Sequence, residues 1–434
     1  MKSKRIAILG STGSIGKNAL RVIEALNSSC EKGLTAETAE QNAKMASRLL
    51  PLRLRSGLKA VSAGNDKTGA IGDARYEVVA LSAQSSVELL AEQARKYKPK
   101  YVAVTDADYV ERFGELVGDL DVEILAGPEG LTEIAQLEEV DIVLTAVVGA
   151  AGLPALLAAA EKGKTLAIAN KEPLVIAGEL LTRTAKENGG TILPIDSEHS
   201  AIFQAMQAGT HDEVRKIILT ASGGPFRGAT IEELQEVTPE QALSHPTWDM
   251  GPKVTIDSAT MANKAFEVLE ARWLFDMPVE KIEVLIHPES IVHSLVEFVD
   301  GSVIAQLGLP DMCVPIQYAL TYPERVEGIA RELRLEEVGQ LTFEKPDLEK
   351  FGALALGFEV GRAGGSAPVV FNAANEVAVE EFLAGRIKFV TIVELIEHCV
   401  HKHNVKRRVS LEEIYEADAW ARKEVIECLK QKIR

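Results

Sequence analysis

The strongest constraint on the fold is a regular alternation of short apolar segments with helical segments in the first half of the chain. Residues 5–9, RIAIL, form a short and mainly apolar segment that ends at a glycine-rich turn, GSTGSIG, after which KNALRVIEAL has helical spacing. The same order recurs from YEVVALSA to KTLAIAN. Because parallel strands need a crossover between them, this alternation predicts a doubly wound, Rossmann-type parallel sheet in an α/β protein.

The second half of the chain has a different pattern. RKIILTASGG and KIEVLIHPESIVHSLVEFVDGSVIAQLG predict strands, with antiparallel hairpins turning at VDGS, and DLEKFGALALGFEVG begins a run of helices. A chain of 434 residues is too long for one ordinary core. We expect an N-terminal parallel-sheet domain over 1–195, a central α+β domain over 196–321, a linker over 322–347 and a C-terminal helical domain over 348–434. Residues 28–75 are polar, and we expect a surface insertion there.

Charge and cysteine usage narrow the function classes. The net charge of −17 disfavours nucleic-acid binding, and no apolar run reaches the ~18 residues of a membrane helix. The four cysteines fit no disulfide framework, which favours reduced thiols and a cytoplasmic location. The stretch EHCVHKH is either a soft-metal site or, as we favour, a solvated helix end. The cysteines are Cys30, Cys313, Cys399 and Cys428.

The glycine-rich turn has the spacing and context of a dinucleotide site. Gly10, Gly13 and Gly16 follow the first strand and open a helix, whose N–H groups and dipole favour a pyrophosphate. Thr12 and Ser14 add hydroxyl donors. A purely structural turn is the alternative.

The end of the second strand bears on the choice of cofactor. An NAD site usually has an acid there to hold the ribose 2′-OH, whereas this chain has Gln84, Ser85 and Ser86. The serines could donate to a 2′-phosphate. The turn therefore favours NADP.

Two acids in ILPIDSEHSAIFQA are flanked by apolar residues. If residues 194–198 are extended, Asp196 and Glu198 point to one side, where two like charges need a cation between them. Magnesium prefers such hard oxygen ligands, and His199 is the only nearby nitrogen ligand, so zinc is not favoured. The alternative is a strand end with two solvated acids.

A third acid is expected in DSATMANKAFEVLEARWLF. Ser258 and Asn263 lead into an amphipathic helix, on which Lys264 and Glu267 are three residues apart and share one face. The lysine, asparagine and serine suit a phosphate, and Glu267 suits the metal. Taken alone, Lys264 and Glu267 would more often be a surface ion pair.

Two loops suggest further ligand contacts. TASGGPF places Ser222 in a turn of small residues whose N–H groups can face an anion. LSHPTWDMGPK places His245 and Trp248 in a loop bounded by Pro and Gly, where the tryptophan suits a lid that excludes water. A packed loop anchor is the alternative for Trp248.

Charged residues also follow the strand in AIANKEPLV. Asn170, Lys171 and Glu172 would lie over the crevice at the carboxyl end of the parallel sheet, where ligands bind in this fold class. The alternative is an ordinary helix N-terminus, with Glu172 facing the dipole and Pro173 in the first turn.

Taken in order, these motifs resemble the 1-deoxy-D-xylulose 5-phosphate reductoisomerase family over nearly the whole chain. The segments that carry the resemblance are GSTGSIG, ANKEPLV, PIDSEHSAIFQ, TASGGPF, HPTWDMG, KVTIDSATMANK, HPESIVHS, DGSVIAQLGLPDM and APVVFNAANEVAVEEFLAGRI. The resemblance implies a homodimer with an NADPH-binding, a catalytic and a helical domain. It also implies conversion of a small phosphorylated sugar, 1-deoxy-D-xylulose 5-phosphate, and NADPH into 2-C-methyl-D-erythritol 4-phosphate and NADP, with Mg²⁺, Mn²⁺ or Co²⁺, and no nucleic-acid or membrane partner.

The resemblance also implies roles for individual residues. The metal ligands would be Asp196, Glu198 and Glu267. The substrate contacts would be Lys171, Ser197, Glu198, Ser222, His245, Ser258, Asn263, Lys264 and Glu267. The NADPH contacts would be Thr12, Gly13, Ser14, Ile15, Asn170, Glu172 and Gly251, with Gln84, Ser85 and Ser86. The catalytic residues would be Lys171, Glu198, His245 and Trp248, the last as a lid.

The chain departs from the family pattern in three places. The 28–75 insertion replaces a short connection, AQSS replaces a turn of the form Ala-Gly-x-Asn, and NKAFE replaces NKGLE. The second change bears on the NADPH preference. The third keeps the spacing of Lys264 and Glu267, so we expect only local repacking.

Two other functions remain open at this point. An NADP-dependent semialdehyde or homoserine-type dehydrogenase would share the glycine turn. A semialdehyde dehydrogenase needs a catalytic cysteine, however, and none of the four cysteines lies in a recognisable nucleophile motif. A cofactor-binding protein without activity would be expected to have lost one of the acids or lysines, and all are present.

Overall fold

The computed structural model describes residues 2–33, 74–244, 248 and 250–432. The strands in that part of the chain are β1 (Lys2–Leu9), β2 (Ala74–Ala83), β3 (Tyr101–Val104), β4 (Glu123–Ala126), β5 (Ile142–Thr145), β6 (Thr165–Ile168), β7 (Thr191–Pro194), β8 (Val214–Ala221), β9 (Ile282–Ile286), β10 (Val292–Phe298) and β11 (Val303–Leu307). The helices are α1 (Ser14–Gly33), α2 (Val87–Tyr97), α3 (Val110–Val117), α4 (Glu129–Gln136), α5 (Leu153–Glu161), α6 (Glu172–Glu187), α7 (Ser197–Ala205), α8 (Ile231–Leu234), α9 (Pro239–Ala242), α10 (Pro252–Thr260), α11 (Ala262–Leu274), α12 (Cys313–Thr321), α13 (Leu335–Val338), α14 (Gly352–Ala363), α15 (Ala367–Leu383), α16 (Phe389–Lys402) and α17 (Leu411–Lys432).

The first sheet confirms the predicted parallel fold. Over the described residues its order is β4-β3-β2-β1-β5-β6-β7, and every neighbouring pair is parallel. Residues 6–9 of β1 are fully buried, since helices cover both faces of a sheet of this kind. The order reverses at β1, so the carboxyl ends of β1 and β5 border the crevice where such folds bind ligands.

The second sheet confirms only part of the predicted hairpin arrangement. Its order is β11-β10-β8-β9, and β10 and β11 form the predicted antiparallel hairpin. Strand β9 does not take part in a hairpin with β10 and pairs instead with β8, in parallel. The loop after β9 is closed by His287, whose Nε2 accepts hydrogen bonds from the N–H groups of Ile291 and Val292. After this loop, strand β10 lies on the other side of β8 from β9 and pairs with β8 in the antiparallel direction.

The helical C-terminal region confirms the third part of the predicted architecture. Its apolar residues join one buried cluster that extends to the parallel sheet and to α11. Gly357 of α14 lies so close to α11 that a Cβ there would be 2.5 Å from the Cβ of Ala265. This close packing fixes α11, which carries part of the site described below.

Most of the expected 28–75 insertion lies outside the described residues. At its edges, residues 28–33 continue helix α1 and residues 74–75 begin strand β2, and the insertion itself stays a prediction. No helix in the part of the chain that the structure describes is both long and apolar enough to cross a lipid bilayer.

Candidate active site

A cavity of about 250 Å³ lies between the carboxyl end of the parallel sheet, helices α10 and α11, and the end of β8. It brings together many of the residues predicted from sequence: Ser14, Ile15, Lys171, Asp196, Ser197, Glu198, Ser222, Trp248, Gly251, Ser258, Asn263, Lys264 and Glu267. They come from segments that are far apart in the chain, as expected of a site built on several elements.

Three carboxylates converge at one wall of this cavity. Asp196 follows β7, Glu198 is in the first turn of α7, and Glu267 is on α11, with one oxygen from each lying within 4.8 Å of the others. The predicted extended conformation of residues 194–198 is wrong. Asp196 instead caps α7, since its Oδ1 accepts a hydrogen bond from the Glu198 N–H at 3.2 Å. The two acids converge because a capping side chain turns back over the first helical turn.

Two lysines hold these carboxylates together. Lys171 Nζ lies 2.7 Å from Asp196 Oδ2 and 3.1 Å from Glu267 Oε1. Lys264 Nζ lies 2.9 Å from Glu198 Oε1 and also contacts Glu267. Both lysines are buried. The alternative of a solvated ion pair at Lys264 and Glu267 is therefore excluded, because charges in a dry site need partners.

The pKa values follow from burial and from these pairs. Desolvation lowers the pKa of Lys171, but attraction by Asp196 and Glu267 outweighs it and raises that pKa well above its usual value. For Lys264, attraction by Glu198 and Glu267 likewise outweighs desolvation, so its pKa is raised. Both ammonium groups are thus charged at neutral pH.

The three acids differ among themselves. Desolvation raises the pKa of Asp196, but Lys171 and His199 more than offset it and hold that pKa well below its usual value. The pKa of Glu198 is also lowered, because Lys264 outweighs its desolvation. Desolvation and the neighbouring Glu198 raise the pKa of Glu267. A cation near Glu267 would favour the ionised carboxylate and so oppose that rise in pKa.

His199 and Glu270 form a second buried group beneath the carboxylates. His199 Nδ1 lies 3.0 Å from Asp196 Oδ1 and 3.3 Å from Glu270 Oε2, and its Nε2 lies 3.0 Å from the Glu267 carbonyl oxygen. Both ring nitrogens are therefore occupied by protein oxygens. Sequence reasoning missed Glu270, although the three-residue spacing of Asp196 with His199 and of Glu267 with Glu270 places each pair on one helical face.

The residues predicted for the phosphate come from a break between two helices. Met261, with φ of 62°, ends α10 and starts α11. The break directs Ser258 and Asn263 into the same cavity. Asn263 Nδ2 donates to Glu267 Oε1 at 2.6 Å, which orders this carboxylate further.

The turn after β8 packs against helix α10, which carries Ser258. Gly223 and Gly224 have φ of +86° and +66°, and the Gly224 N–H donates to Ser222 Oγ at 3.2 Å. A Cβ on Gly224 would lie 2.7 Å from the Ser258 carbonyl oxygen, so glycine is needed there. The predicted small-residue turn thus brings Ser222 next to Ser258.

Trp248 lines the cavity, and its ring centroid lies 6.4 Å from that of His293. His245, the other predicted residue of this loop, lies outside the described residues. His293 was missed by sequence reasoning, although it stands in the HPESIVHS motif. Further lining residues without a sequence-based role are Asn18, Met250, Val254, Ser290 and Met312.

The glycine turn opens onto the cavity through the first residues of α1. Gly10 has φ of +86°, and a Cβ on Gly16 would lie 2.5 Å from the Gly10 carbonyl oxygen. Glycine at both positions is therefore required by the close approach of turn and helix. Ser14 and Ile15 line the cavity, whereas Thr12 and Gly13 belong to the same turn but do not line it.

Among the other predicted cofactor residues, Gly251 lines the cavity, whereas the remaining five do not. Gln84, Ser85 and Ser86 are exposed at the carboxyl end of β2, next to β1. Asn170 Nδ2 donates to the Gly149 carbonyl oxygen at 3.0 Å. Glu172 is buried in the first turn of α6 and lies 3.4 Å from Lys253 Nζ. Their contact with a cofactor stays a prediction.

The described thiols do not suit nucleophilic catalysis. Burial raises the pKa of Cys313 to about 11 and that of Cys399 to about 12, so neither is a thiolate at neutral pH. The EHCVHKH side chains contact separate partners: His398 contacts Glu424, His401 contacts Glu359 and His403 contacts Ser366. The helix-end interpretation therefore fits better than the soft-metal one, since the metal-capable groups of the described residues include none of these side chains.

Comparison with known proteins places the chain among relatives of one kind. Models of 1-deoxy-D-xylulose 5-phosphate reductoisomerase and of its C-terminal domain match residues 6–56, 67–178 and 192–275, and a model of the DXP reductoisomerase C-terminal domain matches residues 307–424. The enzyme of that name from Clostridium perfringens (strain ATCC 13124) is 50% identical over 81% of this chain and 92% of its own. That of Thermodesulfovibrio yellowstonii is 46% identical over 97% and 98% of the two chains.

Solved structures agree with the sequence relatives. The chain is similar to 1-deoxy-D-xylulose 5-phosphate reductoisomerase from Zymomonas mobilis in complex with NADPH, with a TM-score of 0.83 and 38% identity over 99% of each chain. It is equally similar to a DOX-P reductoisomerase in complex with NADPH, fosmidomycin and magnesium, with a TM-score of 0.84 and 39% identity over 99% of each chain. Since the matches cover the glycine turn, the carboxylate cluster and the C-terminal helices together, the chain belongs to the 1-deoxy-D-xylulose 5-phosphate reductoisomerase family.

Proposed function

We propose that this chain converts 1-deoxy-D-xylulose 5-phosphate and NADPH into 2-C-methyl-D-erythritol 4-phosphate and NADP with a divalent cation. The observation that carries the proposal is the cavity in which Asp196, Glu198 and Glu267 converge, next to a glycine turn at the switch point of the sheet. Family membership supports the reaction, and the convergence of these side chains in one cavity supports the roles proposed for them below.

The carboxylate cluster fits a hard divalent cation. Its donors are three carboxylate oxygens within 4.8 Å of one another, the set that Mg²⁺ and Mn²⁺ prefer, and Co²⁺ would also bind. Both nitrogens of His199 already contact protein oxygens, which argues against zinc. A bound cation supplies Lewis-acid stabilisation of negative charge on neighbouring substrate oxygens.

The glycine turn fits the pyrophosphate of NADPH. A Cβ on Gly13 would meet protein atoms only at 3.5 Å and beyond, so the protein itself does not demand glycine there, whereas a closely bound pyrophosphate would. The exposed Gln84–Ser86 turn carries no acid, which suits a ribose 2′-phosphate. When bound, NADPH supplies the hydride that reduces the rearranged aldehyde.

The substrate would lie between the lysines and the serines. Ser222, Ser258, Asn263 and Lys264 would hold its phosphate, and Ser197 and Lys171 would contact the sugar. Binding energy from the phosphate, remote from the reacting carbons, would help to hold Trp248 over the substrate.

Lys171 is placed to orient and neutralise the reacting oxygens. Its ammonium group is buried between Asp196 and Glu267 and stays protonated, so it can stabilise charge that develops on a substrate oxygen beside it. We favour a retro-aldol and aldol sequence over a direct 1,2-shift. In this sequence one carbon–carbon bond breaks, another forms, and the rearranged carbonyl oxygen gains a proton as its carbon gains hydride. Trp248 would exclude water from the aldehyde.

The assembly is also part of the proposal. We propose a homodimer, because β11 is an edge strand of the second sheet in the described residues and the nearby Val299, Val303 and Ile304 are exposed. An unpaired apolar edge favours pairing with a second copy. The domain boundaries at residues 195, 321 and 347 and a cytoplasmic location stay predictions. Sedimentation of wild type and Ile304→Lys would test the dimer; two equal sedimentation coefficients would contradict an interface at β11.

The function is tested with purified protein and 1-deoxy-D-xylulose 5-phosphate by following NADPH absorbance. We expect oxidation with Mg²⁺ or Mn²⁺, none in EDTA, and slower oxidation of NADH than of NADPH. No oxidation under any condition would overturn the proposed function. Equal rates with NADH and NADPH would show instead that the AQSS turn does not select the 2′-phosphate.

A further inference from the structure

A buried side-chain amide connects the glycine turn to helix α2. Gln93 of α2 is 6% exposed, and its Nε2 donates to the Ser11 carbonyl oxygen at 3.0 Å. Its Oε1 accepts from Ser11 Oγ at 2.6 Å. Ser11 is fully buried within the GSTGSIG turn, so one amide satisfies both a backbone and a side-chain group there.

The backbone N–H groups of Ser11 and Gly10 are held by β2. The Ser11 N–H donates to the Ser82 carbonyl oxygen at 2.8 Å, and the Gly10 N–H donates to Ser82 Oγ at 2.9 Å. The orientation of the Gln93 amide is set by chemistry, because the Ser11 carbonyl can only accept and must therefore face the NH₂ group. Neither a carboxylate nor an apolar side chain could replace that donor.

Gln93 lies on the same helix that begins directly after the Gln84–Ser86 turn. Ser86 precedes the first residue of α2, and Gln93 follows it by seven residues, which is two helical turns along the same face. Ser86 is also the last residue of the exposed turn proposed for the ribose 2′-phosphate. The segment that would hold the pyrophosphate and the segment that would hold the 2′-phosphate are thus joined through one side chain.

We propose that Gln93 is a positioning residue for NADPH, which sets the glycine turn at the correct distance from the Gln84–Ser86 turn. This inference rests on the proposed function, since it assumes that NADPH spans both turns. Gln93 itself does not line the cavity and would not contact the substrate. It acts through Ser11, whose backbone leads into the N-terminus of α1.

The test compares ligands that reach one turn or both. NADPH would contact both turns, whereas adenosine 2′-monophosphate would contact only the ribose turn. Gln93→Leu removes both hydrogen bonds to Ser11. We expect the Kd for NADPH to rise about tenfold, because the glycine turn is then less firmly placed, and the Kd for adenosine 2′-monophosphate to change less than about threefold. Both constants are measured by calorimetry on the protein without substrate.

The matched control is Asn27→Leu. Like Gln93, Asn27 on α1 makes two hydrogen bonds to a single residue, at 2.8 and 2.9 Å, but its partner is the backbone of Tyr76, near the start of β2 and away from the glycine turn. The Asn27→Leu variant should lower the melting temperature as Gln93→Leu does, but it should leave the Kd values for NADPH and adenosine 2′-monophosphate unchanged. If Gln93→Leu does not fold, Ser11→Ala removes the hydroxyl bond alone and is expected to show a smaller rise in the same direction.

Three results would overturn the assignment. One is an unchanged Kd for NADPH in both Gln93→Leu and Ser11→Ala. Another is equal weakening of both ligands, which would show that Gln93 only maintains the ribose turn. A wild-type protein that fails to bind NADPH would overturn the proposed function itself, and the wild-type titration distinguishes this failure from the other two.

Discussion

At the scale of single residues, the site is a cluster of opposite charges that fit one another before any ligand binds. Three carboxylates face two buried ammonium groups, Lys171 and Lys264, and each lysine contacts two of the acids. When all five groups are ionised, one negative charge is left over in a site of low dielectric. A divalent cation both removes that excess and gives the cluster a net positive charge that suits a phosphorylated substrate.

Glu198→Gln tests this cluster with little change in shape. The amide cannot supply the same charge to the cation, so we expect turnover to fall at least ~100-fold and the Kd for Mn²⁺ to rise about tenfold or more, while the Kd for NADPH stays near normal. Turnover and Mn²⁺ titration are the measurements. Glu283→Gln, which changes an exposed partner of Lys216, is the control. An unchanged Mn²⁺ affinity would show that Glu198 is not a ligand.

The acids of this site could be predicted from sequence, but their surroundings could not. Asp196 and Glu198 stand out because charged residues rarely interrupt an apolar segment. Asp196 caps helix α7 because β7 already ends at Pro194. The local sequence pattern did not reveal where that strand ends. Glu270 went unnoticed because its role arises only when α11 packs beside His199, a contact between residues 71 positions apart in the chain.

At the scale of elements, the close approach of the glycine turn to helix α1 sets the position of the N–H groups proposed for the pyrophosphate. The glycine turn meets α1 so tightly that a Cβ on Gly16 would lie 2.5 Å from both the Gly10 carbonyl oxygen and the Ser11 Cα. Any side chain there forces the turn and the N-terminus of α1 apart. The N–H groups proposed for the pyrophosphate would then be displaced.

Gly16→Ala should therefore weaken NADPH binding without affecting the metal. We expect the Kd for NADPH to rise about tenfold or more and the Kd for Mn²⁺ to stay unchanged, because the carboxylates belong to other elements. Gly228→Ala is the control, since Gly228 is exposed and no atom lies within 4 Å of its added Cβ. Normal NADPH affinity in Gly16→Ala would mean that the turn does not hold the dinucleotide.

The alternation of strands and helices was sufficient to predict the parallel sheet, since each unit carries its own local signal. The second sheet was harder to predict. A strand of a hairpin and a strand of a parallel pair have the same apolar alternation, so the pattern of β9 alone does not reveal that it pairs with β8 in parallel.

At the scale of the whole molecule, helix α15 reaches both halves of the site from the C-terminal region. Asn375 Nδ2 donates to Asp257 Oδ1 at 2.8 Å, and Asp257 belongs to α10, whose Val254 and Ser258 line the cavity. One residue further along α15, Glu376 Oε1 lies 3.2 Å from the position a Cβ would take on Gly149, beside the glycine turn.

Asn375→Leu should show that this contact supports the substrate side. Asp257 would keep Lys253 as a partner, 2.7 Å away, but would lose its bond to α15, so α10 would be less firmly placed. We expect KM for the sugar phosphate to rise about tenfold and the Kd for NADPH to change little. Asn372→Leu is the matched control, because Asn372 is equally buried but bonds only to Glu376 of its own helix. Equal kinetic effects of the two substitutions would contradict this role.

The parallel pairing of β8 with β9 has a consequence for synthesis of the chain. Strand β8 ends at Ala221, and its partner begins only at Ile282, after the helices that carry Ser258 and Glu267. At about 5–20 residues per second, roughly 3–12 seconds pass before that partner is made. During this interval both edges of β8 are open, so a ribosome translating this stretch exposes an unpaired strand to neighbouring nascent chains.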